Sequence, residues 1–150
     1  MGEDWDAEWI CAAGDDAIHP IMMRSFTLAE KPVCARAYAV GLGVYELNVN
    51  GEKAGDEVLA PFYNDYNLWL QYQTYDVTDM LRIGENTIDA WLGNGWYKGR
   101  FGFVENMCEL YGDHMKLLAE IRIDMPDGTE IVVGTDGEWL CAPSPVKAHN

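Results

Sequence analysis

Apolar residues in this chain recur at every second position, and that period limits its possible folds more than any other feature of the sequence. From Lys116 to Ile123, Leu117, Ala119, Ile121 and Ile123 fall on one face while Lys116, Glu120 and Arg122 fall on the other. Successive side chains of an extended chain point to opposite sides, so this alternation marks a half-buried strand. Pro126-Asp127-Gly128 then turns the chain into Ile131-Val132-Val133, a predicted hairpin. Tyr45, Leu47 and Val49 make a second alternating face that ends at Asn50-Gly51, a pair suited to the positive φ values of a tight hairpin turn. Further strands are predicted over 8–12, 21–28, 33–40, 70–75 and 86–92. Helix is confined to 77–81, where Thr78 is expected to cap a single turn before Gly84. Short strands between glycine and proline turns predict an all-β chain, an antiparallel β-sandwich or jelly roll.

A length of 150 residues suits a single domain spanning 1–150. The 25 acidic against 10 basic side chains give a net charge of −15, which repels polyanions and argues against nucleic acid and membrane surfaces as partners. Most of this acidity reads as solubility. No stretch approaches the ~20 apolar residues that span a bilayer, and the start lacks a basic segment followed by an apolar one, so the expected location is cytoplasmic. Cys11, Cys34, Cys108 and Cys141 lack the spacing of a zinc or redox pair and are expected to be reduced, mostly buried thiols. The proline-bearing segment 142–150 reads as an edge or linker leading into a longer protein.

Two segments carry candidate chemistry. Gly93-Asn94-Gly95-Trp96-Tyr97-Lys98-Gly99-Arg100-Phe101-Gly102 sets aromatic rings and cations among glycines directly after a strand. Trp96 and Tyr97 offer flat apolar faces, and Arg100 donates to oxygens, a combination that suits a sugar with one apolar face and a rim of hydroxyls. The alternative is a tight turn whose rings fill the core. Pro61-Phe62-Tyr63-Asn64-Asp65-Tyr66-Asn67 adds three rings and three oxygen-bearing side chains. Asn64, Asp65 and Asn67 suit hydroxyl recognition or part of a calcium site, or else an Asx turn satisfying its own backbone; the turn is favoured, because calcium takes six to eight oxygens. Paired-acid glycosidase chemistry needs two carboxylates set across a sugar-sized cleft, which abundance of acids does not supply.

Several stretches together resemble the N-terminal β-sandwich domain of bacterial α-L-rhamnosidases. They are Trp9-Ile10, Arg24-Ser25-Phe26-Thr27-Leu28, Gly43 to Gly51, Gly55-Asp56, Leu59-Ala60-Pro61 and Tyr72-Gln73-Thr74-Tyr75-Asp76-Val77-Thr78, with Gly-Asn-Gly-Trp-Tyr-Lys-Gly-Arg as the most specific match. The resemblance implies a galactose-binding-like jelly roll, an accessory module of an enzyme that removes terminal α-L-rhamnose from glycosides. It also implies that the acid and base lie on a helical barrel elsewhere in the parent chain, so no catalytic residue carries over and this chain alone is expected to be inactive. The implied partners are an L-rhamnose-containing glycan or glycoside and the catalytic barrel of the same full-length chain. Some relatives bind rhamnose with calcium, while others brace the barrel; both roles stay open, with Trp96, Tyr97, Arg100, Asn64 and Asp65 as the carbohydrate-binding candidates.

Overall fold

The computed structural model describes residues 5–12, 19–100, 102 and 107–146. Among the described residues, ten strands, a 3₁₀ turn and an α-helical turn follow in the order β1 (Ile10–Cys11), β2 (Pro20–Leu28), β3 (Cys34–Leu42), β4 (Val44–Val49), β5 (Glu52–Lys53), β6 (Gln73–Asp76), the 3₁₀ turn (Thr78–Met80), β7 (Gly84–Gly93), α1 (Gly95–Lys98), β8 (Lys116–Asp124), β9 (Glu130–Gly134) and β10 (Leu140–Pro143). They form two antiparallel five-stranded sheets. One runs β1-β8-β3-β6, with β9 also paired to β8; the other runs β10-β2-β7-β4-β5.

The alternating faces close on each other as the sequence predicts. Ala35, Ala37 and Ala39 of β3 and Leu117, Ala119, Ile121 and Ile123 of β8 face Met22, Leu47, Val49, Ile88 and Leu92 of the second sheet, and all are buried. Small residues on the central strand β3 leave room for the large ones opposite, which lets the two layers interdigitate. Arg24 of β2 ties the sheets at one rim by pairing with Asp136 and donating to the Gly134 carbonyl at 3.3 Å.

The turns follow their predicted chemistry. Val49 pairs with Glu52 across Asn50 (φ 53°) and Gly51 (φ 80°), and positive φ at both positions makes this the mirror-image turn that matches strand twist. Asp127 accepts the Thr129 amide at 2.9 Å in the β8–β9 hairpin.

Several expectations need correction. Glu120 lies on the face expected to be open, yet it is buried, because the segment before β1 crosses over it. Its carboxylate accepts the Asp6 amide at 3.0 Å and the Ala7 amide at 3.2 Å and pairs with Arg122 at 2.8 Å, so the buried charge is answered. Thr78 does not cap the 3₁₀ turn Thr78–Met80: its hydroxyl bonds across to β3 at the Ala35 backbone, and Asp76 accepts the Thr78 amide at 3.1 Å instead. Cys11, Cys108 and Cys141 are exposed and Cys34 half-buried, all as free thiols, since three of the four lie on edges or loops rather than on core faces. The segment 142–150 divides: Ala142 and Pro143 belong to the edge strand β10, paired with Ile21 and Pro20, whereas 147–150 lie outside the described residues.

Candidate functional site

The two segments singled out in the sequence meet at one end of the sandwich. After β7 the chain winds into α1, closed by hydrogen bonds from the Lys98 amide to the Asn94 carbonyl and from the Gly99 amide to the Gly95 carbonyl, both 3.1 Å. The run is therefore a helical turn rather than an open loop. It sends Tyr97 inward and leaves Trp96 half-buried and Arg100 exposed. Phe101 lies outside the described residues.

Tyr97 is 8% exposed and packs edge-on to Tyr66, ring centres 5.2 Å apart. Tyr66 in turn meets Tyr111 at 4.9 Å and Tyr63 at 6.2 Å, and the hydroxyls of Tyr63 and Tyr111 lie 3.0 Å apart. Four tyrosines thus join the loop 61–72 to the segments around α1 and Tyr111. Tyr97 fits only because residue 112 is glycine; a Cβ there would overlap the Tyr97 hydroxyl.

Burial shapes the electrostatics of this cluster. The Tyr66 phenol is pushed up to about 12, first by burial and then by the neighbouring phenols of Tyr63 and Tyr111. Burial and the nearby Asp113 raise Tyr97, while the hydrogen bond that the Tyr111 hydroxyl donates to Tyr63 leads the rise at Tyr111. All three are neutral phenols at physiological pH.

Asn64 and Asp65 shape the loop. Asn64 is fully buried; its side-chain amide donates to the Phe62 carbonyl at 2.7 Å, and its oxygen accepts the Gln71 amide at 2.8 Å. Asp65 accepts the Asn67 amide on its side chain at 3.3 Å and the Leu68 and Trp69 amides on its carbonyl at 2.9 Å. This is the Asx-turn arrangement. The donor set does not fit calcium, because the Asn64 oxygen is enclosed and engaged and the six to eight oxygens of a calcium site are not gathered. Among the described residues no group of three or more His, Cys, Asp or Glu side chains is placed to hold a metal.

The loop thus braced covers part of the outer face of the first sheet and presents apolar side chains outward. Leu68 is 80% exposed, Trp69 55%, Tyr72 53% and Phe62 52%. Trp5 packs edge-on to Tyr72 (5.7 Å) and Tyr38 (6.3 Å), and a groove of about 280 Å³ opens between Trp5, Trp69 and Tyr72 over a floor of Val40 and Leu118. Period-two alternation does not mark this groove; the sequence signal for it is the run Leu68-Trp69-Leu70, three apolar residues that break the period of two.

Residues 30–150 match the family described as Alpha-L-rhamnosidase N-terminal domain. The chain belongs to that family. An α-L-rhamnosidase of Streptomyces avermitilis is 38% identical over 126 residues, which are 83% of this chain and 12% of that protein. The crystal structure of native α-L-rhamnosidase from Aspergillus terreus superposes with a TM-score of 0.86 at 34% identity, covering 93% of this chain and 17% of that one. The S. avermitilis enzyme crystallised with L-rhamnose superposes with a TM-score of 0.82 at 36% identity over 86% of this chain and 12% of that one. This N-terminal domain therefore spans between 12% and 16% of the length of the curated rhamnosidases it matches.

Proposed function

We propose that this chain is the non-catalytic N-terminal module of an α-L-rhamnosidase, and that it works by docking onto the remainder of its parent chain through the aromatic face of loop 61–72. The observation that carries the reading is the exposure of Leu68, Trp69, Tyr72 and Phe62 on a loop whose shape is fixed by Asn64 and Asp65. A contiguous apolar surface costs solubility unless a partner covers it. The small share of its relatives that the chain spans, 12% of the S. avermitilis protein and 17% of the A. terreus one, supports a partner in the remainder of such a polypeptide. The test is Leu68→Ser with Trp69→Ser. Both side chains are more than half exposed, so the isolated 150-residue chain should keep its urea midpoint. In the parent enzyme the same pair should uncouple the module's thermal transition from that of the remainder; an unchanged, single parental transition would defeat the reading.

Sugar recognition at this end of the sandwich is the second reading. It is favoured by the exposed Tyr63–Tyr111 hydroxyl pair, by half-buried Trp96, which precedes Tyr97 of the same cluster in the chain, and by the L-rhamnose held by the S. avermitilis relative. Terminal α-L-rhamnose of a glycoside would meet Trp96, Arg100 and the two hydroxyls, while Tyr97 and Asn64 hold those groups in place and Asp65 sets the loop. Titrating L-rhamnose into the chain and into Trp96→Ala checks it: losing an aromatic anchor should cost ~1–3 kcal/mol of affinity, and equal binding by a folded Trp96→Ala chain removes the site from this end.

A further inference from the structure

The second sheet carries a cleft on its outer side, mostly apolar with a few charged groups, that neither role proposed above uses. Trp91 of β7 stands there between Ile21 of β2 and Glu46 of β4, and it is 37% exposed. Its indole N–H donates to Asp89 at 3.0 Å, and the same carboxylate oxygen accepts from Asn48 at 2.9 Å. An exposed tryptophan fixed in orientation by a chain of hydrogen bonds is a preorganised platform, since ligand stacking then costs little side-chain entropy.

Beside it opens a cleft of about 230 Å³, lined by Trp91, Glu46, Lys53, Glu57, His19 and Val58 among others. Lys53 lies 3.4 Å from the Glu46 carboxylate and donates to the Glu57 carbonyl at 2.8 Å, which leaves one of its three N–H donors for a ligand. Glu57 lines the same cleft, with one carboxylate oxygen buried beside Gly55 and Tyr75 and without a hydrogen-bond partner among the described residues.

We propose that this cleft is a subsite for one neutral pyranose ring, stacked on Trp91, with hydroxyls that donate to Glu57 and Glu46 and accept from Lys53. The small volume suits a single ring. Two carboxylates against one ammonium, on a chain of net charge −15, disfavour uronates and phosphates. The cleft is independent of the docking reading, because Trp91 lies on the second sheet and loop 61–72 covers the first; it is also separate from the tyrosine cluster.

The test is a titration of the ¹⁵N-labelled chain with L-rhamnose, D-galactose and D-mannose, each followed by amide and indole N–H shifts, with D-glucuronate as the anionic control. Saturable shifts at the Trp91 indole and at the amides of 44–46 and 57–59, with at least one of the neutral sugars, are expected. Trp91→Ala should weaken that sugar by about tenfold or more, and Glu57→Gln should also weaken it while keeping the shape of the cleft. Both are changes outside the core, and a retained amide spectrum confirms folding. The proposal fails if no neutral sugar shifts these signals, if glucuronate binds as well as the neutral sugars, or if Trp91→Ala binds normally. Shifts confined to Trp96 and the tyrosine cluster would likewise overturn it, while supporting sugar recognition at the other end.

Discussion

Tyr66 is where packing and charge meet most closely on the tyrosine face. Its hydroxyl is buried without a hydrogen bond of normal geometry, although the Asn64 amide lies near enough to favour the phenolate slightly. Burial dominates, so the native phenol titrates at about 12 against 10.0 in the unfolded chain. Above pH 10 the unfolded chain gives up this proton while the native chain keeps it, so the native state binds more protons and stability falls as pH rises from 10 to 12. Below pH 10 both states are protonated and this contribution is fully present. Tyr66→Phe should therefore flatten the alkaline limb of a urea-midpoint profile, with little loss near neutrality because no good hydrogen bond is removed. Tyr45, Tyr75, Tyr97 and Tyr111 are raised too and keep some slope. Superimposable limbs for the two chains would show that Tyr66 is not held neutral by its surroundings.

Among the elements, the β4–β5 hairpin shows how one residue serves both a turn and the layer beneath it. Asn50 adopts positive φ, and its amide also donates to the Met80 carbonyl and to Asn86, both at 2.8 Å, while its oxygen accepts the Thr87 amide at 3.0 Å. Gly51→Val strains the turn alone, since the space around it is open, and should cost ~1–2 kcal/mol for the left-handed backbone. Asn50→Ala strains the same turn and also removes three side-chain hydrogen bonds, so its loss of stability should be the larger of the two. Denaturant midpoints of the two variants decide this, and equal losses would mean that the amide bridges contribute nothing. The turn was legible because Asn-Gly has its own backbone preference; the bridges were not, because they join residues 30 to 37 apart in sequence. The same distinction holds elsewhere. Period two located the strands at 116–123 and 86–92 to within a few residues, whereas β5 and β10, with two and four residues, are too short to show a period. Glu120 read as solvent-facing because a local pattern carries no information about the segment 114 residues away that covers it. At the candidate site the sequence marked Trp96, Tyr97, Asn64 and Asp65, yet side-chain type alone does not say which are buried, and Trp91 looked like any outward strand residue until Asp89 and Asn48 were seen to fix it.

At the scale of the whole molecule, the described residues form open clefts on the outer faces of the sandwich. Glycoside hydrolysis needs an acid and a base or nucleophile at a set separation across the scissile bond, about 5–5.5 Å for retention and 6.5–9.5 Å for inversion. Among the described residues, Glu120, Glu130 and Asp6 pair with Arg122, and Asp136 pairs with Arg24, so these acids are engaged in ion pairs. At the Trp91 cleft, Glu46 is tied to Lys53 on the surface. The expected outcome is that the purified 150-residue chain leaves a chromogenic α-L-rhamnoside intact, while the parent enzyme hydrolyses it. Release of the chromophore should return only when the remainder of the parent chain is present. Sustained turnover by this chain alone, abolished by replacing Glu46 or Glu57 with glutamine, would place the active site in the cleft beside Trp91 and make the module an enzyme in its own right.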